Sequence, residues 1–283
     1  MHALGKRLAS GQRTDLEDLQ KLESILSVFG VALDKISSEA RRVLEGRTLA
    51  VTSRVKTTNT IVQKLQRERT MSLKGMRDLA GLRIVGSMSR LEQDDLVALL
   101  VATFPGDSRP PRVVDRRHEP SAGYRAVHVV VTTSDLDVEV QVRTELQDLW
   151  ANSFEILADR WGRELRYGAP LRSPETAVWP GQARETTRGQ LLAAVVLASD
   201  TIDTVESGVA ELSTFARGVP SETAALKRAH QNRSATPKEL FRRRELMLQA
   251  EALAGGAEAA AVRWQERHAL VIRQLERLTT DVV

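Results

Sequence analysis

Two alternating segments lying close together constrain this fold more than any other feature. In Asp137–Thr144, Val138, Val140 and Val142 fall on one side of an extended strand. Glu139, Gln141 and Arg143 fall on the other. Just upstream, Tyr124–Thr132 reads as a second strand, and Thr133-Ser134-Asp135-Leu136 reads as the loop of a hairpin. The same parity puts Tyr124 and His128 on one face. A carboxylate, an imidazole, a phenol and an amide then look out from one hairpin above a valine underside. A plain solvent-facing sheet surface, with Glu139 paired to Arg143, would show the same alternation.

The flanking segments supply helices. Thr14-Asp-Leu-Glu17 reads as a capping box opening a helix through Leu16, Leu19, Leu22, Ile25 and Leu26, with a second helix up to about Glu45. Residues 1–13 read as unstructured. Thr60–Arg69 reads as a helix, Leu82–Val85 as a first strand ended by Gly86, Leu91–Phe104 as a helix stopped by Pro105-Gly106, and Arg112–Asp115 as a strand. A helix is expected from Glu145 to Arg163. Helices, strand, helix, strands, helix in that order predict an α+β fold: a mixed sheet with helices packed on one face and the other face free for substrate.

Composition divides the chain further. Residues 1–50 form a helical segment and 51–168 the α+β domain. Residues 169–182 carry three prolines and a glycine and read as a linker, leaving 183–283 as a helical region. There, Leu191, Val195, Ala198, Ile202, Val205, Val209 and Leu212 form a heptad-like seam, a candidate oligomer interface. Thr236-Pro-Lys-Glu239 reads as another capped helix start.

Charge narrows the function. Arg54 to Arg90 holds nine Lys and Arg (54, 56, 64, 67, 69, 74, 77, 83, 90) against Glu68 and Asp78. That imbalance is the footprint of a polyanion site for nucleotide phosphates or nucleic acid; a solvated basic helix face is the plainer account. There are no cysteines, which excludes disulfides and thiolate metal sites and fits a reducing cytoplasm. The five histidines show no metal-ligand spacing. No apolar run reaches membrane-spanning length, and no signal-peptide core is present at the N-terminus.

Read in order, six motifs resemble the synthetase domain of the RelA/SpoT family of alarmone synthetases, from Arg54 to Gly168. They are Arg54-Val-Lys56; Lys64-Leu-Gln-Arg67; Met76-Arg-Asp78-Leu-Ala-Gly81-Leu-Arg83-Ile-Val85; Gly123-Tyr124-Arg-Ala-Val-His128; Val138-Glu139-Val-Gln141-Val-Arg-Thr144; and Trp150-Ala151. The resemblance implies a nucleotidyltransferase-like core. It also implies transfer of the β,γ-pyrophosphate of ATP to the 3′-hydroxyl of GDP or GTP, releasing AMP. Asp78 then matches a Mg²⁺ ligand, and Glu139 the acid that activates the acceptor hydroxyl and also touches the metal. Arg54, Lys56, Lys64 and Arg67 match cations around ATP, with Thr57 or Thr60 in a phosphate-contacting place. Arg83 matches an arginine stacked on adenine, with Arg54 closing the other side. Tyr124 matches the tyrosine under the acceptor guanine, with His128 and Gln141 lining that pocket.

The chain departs from the pattern after Trp150-Ala151, where many relatives carry a Glu-His pair. Here Asn152 or Glu155 could take over the acceptor contacts, which opens the acceptor's identity. No His-Asp dipeptide of a hydrolase half is present. The expected protein is a small stand-alone synthetase, a homo-oligomer by analogy with relatives, restrained by expression, assembly or an antitoxin partner. Two other readings stand beside it. One is a toxin-type relative that pyrophosphorylates the 3′ end of tRNA or makes (p)ppApp. For the tRNA case, residues 217–245 carry eight Lys and Arg against three acids. The other is a non-catalytic nucleotide-binding protein, which intact Asp78 and Glu139 argue against.

Overall fold

The computed structural model describes residues 1–10, 15–68, 70–168, 176–178 and 185–230, and isolated helical positions beyond. The chain divides into two compact units. One comprises residues 1–88 and 92–148; the other comprises 89–91 and the described residues from Leu149 onward.

The first unit is built on a five-stranded mixed sheet in the order β1-β2-β5-β4-β3. The strands are β1 (Ala50–Val55), β2 (Ala80–Gly86), β3 (Arg112–Asp115), β4 (Val127–Thr133) and β5 (Leu136–Thr144). Only β2 and β5 run parallel; the remaining pairs are antiparallel. The α+β class and mixed sheet expected from the element order are present. The hairpin is tighter than expected: Ser134 and Asp135 alone make the turn, with φ of 49° and 61°. Two left-handed residues give a turn whose twist matches that of its strands.

Register sorts the side chains as the parity argument requires. Leu82, Ile84, Val127, Val129, Val131, Val138, Val140 and Val142 are buried in one hydrophobic core. Four helices contribute to that core: α1 (His2–Ala9) through Leu4 and Leu8, α2 (Leu16–Val43) through Leu22, Phe29, Leu33 and Ile36, α3 (Thr58–Arg67) through Ile61 and Leu65, and α4 (Arg90–Thr103) through Leu96 and Leu100. Burying a side chain of this size contributes roughly 1.5–3 kcal/mol, so the sheet's apolar face is where the fold's stability concentrates.

Several local expectations are corrected. Residues 2–9 are helical, because Leu4 and Leu8, four apart, bury one face of a single short helix. One 28-residue helix replaces the two expected before residue 45. Its cap is Asp15, whose carboxylate accepts from the Glu17 backbone N–H at 2.7 Å. Leu82–Val85 is not the first strand, because β1 precedes it. Tyr124 lies outside β4: Ala122 and Gly123 hold φ of 51° and 87°, and the chain turns there before the strand begins.

The second unit carries the end of α5 (Glu145–Trp161) and the long α6 (Arg188–His230), with a short antiparallel pair of β6 (Thr176–Val178), inside the expected linker, and β7 (Glu185–Thr187), just past it where helix was expected. In the seam of α6, Leu191, Val195, Ile202 and Val205 are buried within the chain itself. Trp150 donates from Nε1 to the Val195 carbonyl at 2.7 Å. The helix start expected at Thr236 lies outside the described residues, as does most of the basic stretch beyond His230. No helix among the described residues is long and apolar enough to cross a membrane.

Candidate active site

The polar face of the sheet gathers most of the residues singled out from the sequence. Arg54 on β1 stands opposite Gly81 on β2, and Thr52 opposite Arg83. Gly81 and Arg83 in turn pair with Glu139 and Gln141 on β5, and Gln141 with His128 on β4. Cross-strand partners share a face, so Arg54, Arg83, Glu139, Gln141 and His128 line one surface. Gly81 leaves the floor between Arg54 and Glu139 bare of side chain. A solvent-washed sheet is ruled out by burial: the Glu139 and His128 side chains are only 15% and 14% exposed.

At one end of this surface Asp78 is clamped by two lysines. Lys56 Nζ donates to Oδ2 at 2.5 Å, and Lys64 Nζ donates to both oxygens at 3.0 and 3.2 Å. The positions follow from the backbone. Lys56 is the first residue past β1, and its N–H donates to the Leu79 carbonyl at 2.8 Å, extending the β1–β2 ladder to the residue beside Asp78. Lys64 reaches in from α3, which is anchored through Ile61 and Leu65. Burial pushes the Asp78 carboxyl up, but the two ammoniums outweigh it and hold the group below its ordinary range.

Glu139 sits in a different environment. Its Oε1 contacts His128 Nδ1 at 2.8 Å, and its Oε2 accepts from Gln141 Nε2 at 2.8 Å. Burial raises its pKa; the hydrogen bonds from His128 and Gln141 overcome that, so it too lies below the ordinary carboxylate range. Asp78 is close enough to oppose this shift through its negative charge. His128 Nε2 meets the Tyr124 hydroxyl at 2.9 Å. Tyr124 is buried enough for its phenol to be raised, against the pull of Arg143.

Two candidates stand apart from these clusters. Arg67 is exposed and pairs with Glu68 at 2.9 Å rather than joining Lys64 on Asp78. Thr60 is exposed and shares a hydrogen bond with Thr57 at 2.8 Å. Asn152 lies on the part of α5 that belongs to the second unit. Arg54 is exposed on the edge strand, whereas Arg83 is half-buried with Nη1 3.5 Å from Asp148.

Sequence reasoning passed over Arg143 and Asp148. Arg143 does not pair with Glu139. Its Nη1 donates to Asp148 at 2.8 Å, and its Nη2 donates to the Tyr124 hydroxyl at 3.0 Å and to Gln141 Oε1 at 2.9 Å. The signal was present in the parity, which puts Arg143 on the face of Glu139 and Gln141.

The described residues contain no cluster of three or more metal-ligating side chains. Two neighbouring carboxylates instead suit Mg²⁺, which takes its remaining ligands from water and substrate phosphates. Chemically, the arrangement offers a carboxylate flanked by cations, a second anionic carboxylate held rigidly on a central strand, and planar guanidinium and phenol groups beside them. Such a surface has the charge to receive a polyphosphate and the basicity to accept a hydroxyl proton.

Residues 53–157 match the model of the region found in RelA / SpoT proteins. Uncharacterized proteins of Mycobacterium tuberculosis and Mycobacterium bovis are 39% identical over 155 residues, which cover 53% of this chain and 56% of each relative. The chain thus spans about half the length of the curated relatives it matches. Among solved structures, the small alarmone synthetase 1 from Bacillus subtilis is similar at 21% identity and a TM-score of 0.47, covering 71% of this chain and 98% of that one. A structure of the same synthetase bound to AMPCPP matches at 20% identity and a TM-score of 0.41, over 65% of this chain and 93% of that one.

Proposed function

We propose, from the match of residues 53–157 to the region found in RelA / SpoT proteins, that the chain makes an alarmone. In this reading it moves the β,γ-pyrophosphoryl group of ATP to the 3′-hydroxyl of GDP or GTP. The observation that carries the reading is the placement of Asp78, clamped by Lys56 and Lys64, near a second anionic carboxylate, Glu139.

The reaction needs little covalent work from the protein. The 3′-oxygen attacks the β-phosphorus of ATP, the bridging bond to the α-phosphate breaks, and its electron pair leaves on AMP. Glu139 takes the hydroxyl proton; its anionic state and fixed place on β5 suit a general base. Lys56 and Lys64 meet the negative charge spread over the phosphates. Arg54 and Arg83 offer flat guanidinium faces for adenine, while Tyr124, His128 and Gln141 serve the acceptor. A Mg²⁺ ion would be held by Asp78 with Glu139 beside it, and would supply charge neutralisation to the polyphosphate.

The test offers purified protein γ-labelled ATP and Mg²⁺ with GDP, GTP, AMP, ADP, ATP or deacylated tRNA, and resolves the products by chromatography. Label on a guanosine nucleotide bears out the proposal. Label on an adenosine nucleotide or on tRNA alone replaces the acceptor, and no transfer to any acceptor overturns the reading.

A further inference from the structure

Five side chains on the polar face close a ring of hydrogen bonds. Arg143 Nη2 reaches the Tyr124 hydroxyl at 3.0 Å, Tyr124 meets His128 Nε2 at 2.9 Å, and His128 Nδ1 meets Glu139 Oε1 at 2.8 Å. By the other arm, Arg143 Nη2 reaches Gln141 Oε1 at 2.9 Å and Gln141 Nε2 reaches Glu139 Oε2 at 2.8 Å. A guanidinium only donates, and an ionised carboxylate only accepts. The ring therefore has one donor pole, Arg143, one acceptor pole, Glu139, and two arms between them.

Those poles fix the direction of every link. In the first arm the amide of Gln141 must turn its oxygen to Arg143 and its nitrogen to Glu139. In the second, the Tyr124 oxygen accepts from Arg143, so its single hydrogen goes to His128 Nε2. A histidine that accepts at Nε2 and stays neutral carries its proton on Nδ1, where it donates to Glu139. The alternatives satisfy the ring less well. The Nε2–H tautomer turns a lone pair on the Glu139 carboxylate, and an imidazolium makes the Tyr124 oxygen accept twice and leaves the phenolic hydrogen without an acceptor in the ring.

We infer that Arg143 is a positioning residue that sets the tautomer of His128 and thereby the hydrogen bonds reaching Glu139. The inference rests on the reading of Glu139 as the base. The Arg143 side chain is 3% exposed, anchored on Asp148 at 2.8 Å, with its guanidinium carbon 5.0 Å from the centre of the Tyr124 ring. It acts through its neighbours rather than by contact with substrate. Each oxygen of Glu139 receives one hydrogen bond from the ring, and the other lone pairs are left for the acceptor hydroxyl. The ring also points protons toward Glu139. His128 therefore steadies the base and does not carry its proton away.

The test is the tautomer itself. The full chain is labelled with ¹⁵N-histidine, and long-range proton–nitrogen spectra are recorded near neutral pH without nucleotide. His128→Asn identifies the signals among the five histidines. The expected state of His128 is neutral with the proton on Nδ1. Arg143→Met should give a mixture of tautomers, and Arg143→Lys, another donor-only side chain, should restore the single one. Tyr124→Phe cuts the same arm while keeping the ring packing, and should also release the tautomer, so the test survives if Arg143→Met does not fold. A wild-type His128 protonated on Nε2 or on both nitrogens, or a Tyr124→Phe tautomer unchanged from wild type, overturns the inference. In turnover, Arg143→Met should lower kcat roughly 10–100-fold, the scale for an orienting partner, with little change in KM for ATP. Because the spectra need no substrate, a failed transfer assay sinks the proposed activity and leaves the tautomer result standing.

Discussion

Lys56 and Asp78 meet at 2.5 Å because the ladder between β1 and β2 continues past the ends of both strands. The lysine side chains on this carboxylate are only 16% and 17% exposed. Free protein thus balances one negative charge with two positive ones.

Asp78→Asn should therefore affect activity and stability together. Loss of a charge partner in the transition state lowers turnover by about 10²-fold or more. Two half-buried ammoniums left with a neutral amide cost about 1–3 kcal/mol. Urea unfolding and steady-state turnover measure the two effects, and an Asp78→Asn protein with wild-type kcat would end the proposed role of this residue.

Glu139→Gln should fold and fail to turn over. The amide replaces the acceptor pole of the ring with a group that donates on one side, and it has no basicity to offer a hydroxyl. A loss of roughly 10²–10⁴-fold in kcat is expected, while nucleotide affinity measured by calorimetry stays close to wild type.

Lys64→Met separates the two lysines. Lys56 still pairs with Asp78, so the fold holds, but one phosphate cation is gone. The expected result is a higher KM for ATP, by about tenfold for each 1.4 kcal/mol of binding lost. In Arg67→Met, whose arginine pairs with Glu68 away from Asp78, KM should move much less; equal effects would contradict the separation of these residues.

The pH dependence follows from the sign of the carboxylate shifts. Asp78 and Glu139 lie below their ordinary values in the folded protein. Each favours folding above the unfolded pKa of about 4, and that contribution fades as pH falls through the depressed folded value. Turnover should be insensitive to these groups from neutral pH down to about 5, with the loss on the acid side accompanied by unfolding. A profile that drops near neutral pH with the protein still folded would assign the base elsewhere.

Asp135→Gly probes the hairpin. Asp135 is exposed and holds φ of 61°, a conformation that costs a side-chain-bearing residue about 1 kcal/mol. Glycine removes that cost at some expense in chain entropy. A gain of about 0.5 kcal/mol is expected, read by denaturant midpoint, without change in kcat.

The sheet's centre was legible in the sequence because the valines of β5 alternate without a break. Its edge was not. In β1 only Val51 and Val55 touch the core, while Thr52, Ser53 and Arg54 are exposed, so an edge strand leaves little periodicity to read. The start of β4 was misread because Ala122 adopts a left-handed conformation that no sequence rule assigns to alanine. Asp78, Glu139, Tyr124 and His128 were found through motif order. What parity cannot tell is which outward-facing groups pair with each other. Glu139 and Arg143 looked like partners from the strand alone, yet His128 and Gln141 take the carboxylate and Asp148 takes the guanidinium.

The strand order places β5 between β2 and β4, and this sets when in the life of the chain the site comes into being. Everything around Asp78 is contributed by residues before 90, but Glu139 arrives on a strand that must slot in parallel to β2 after a long closure of the intervening chain. Such non-local pairing forms late in folding. A polypeptide still emerging during synthesis, or cut short before residue 136, lacks Glu139 and the central strand that carries it. Under the proposed function such unfinished copies have no base with which to spend nucleotide.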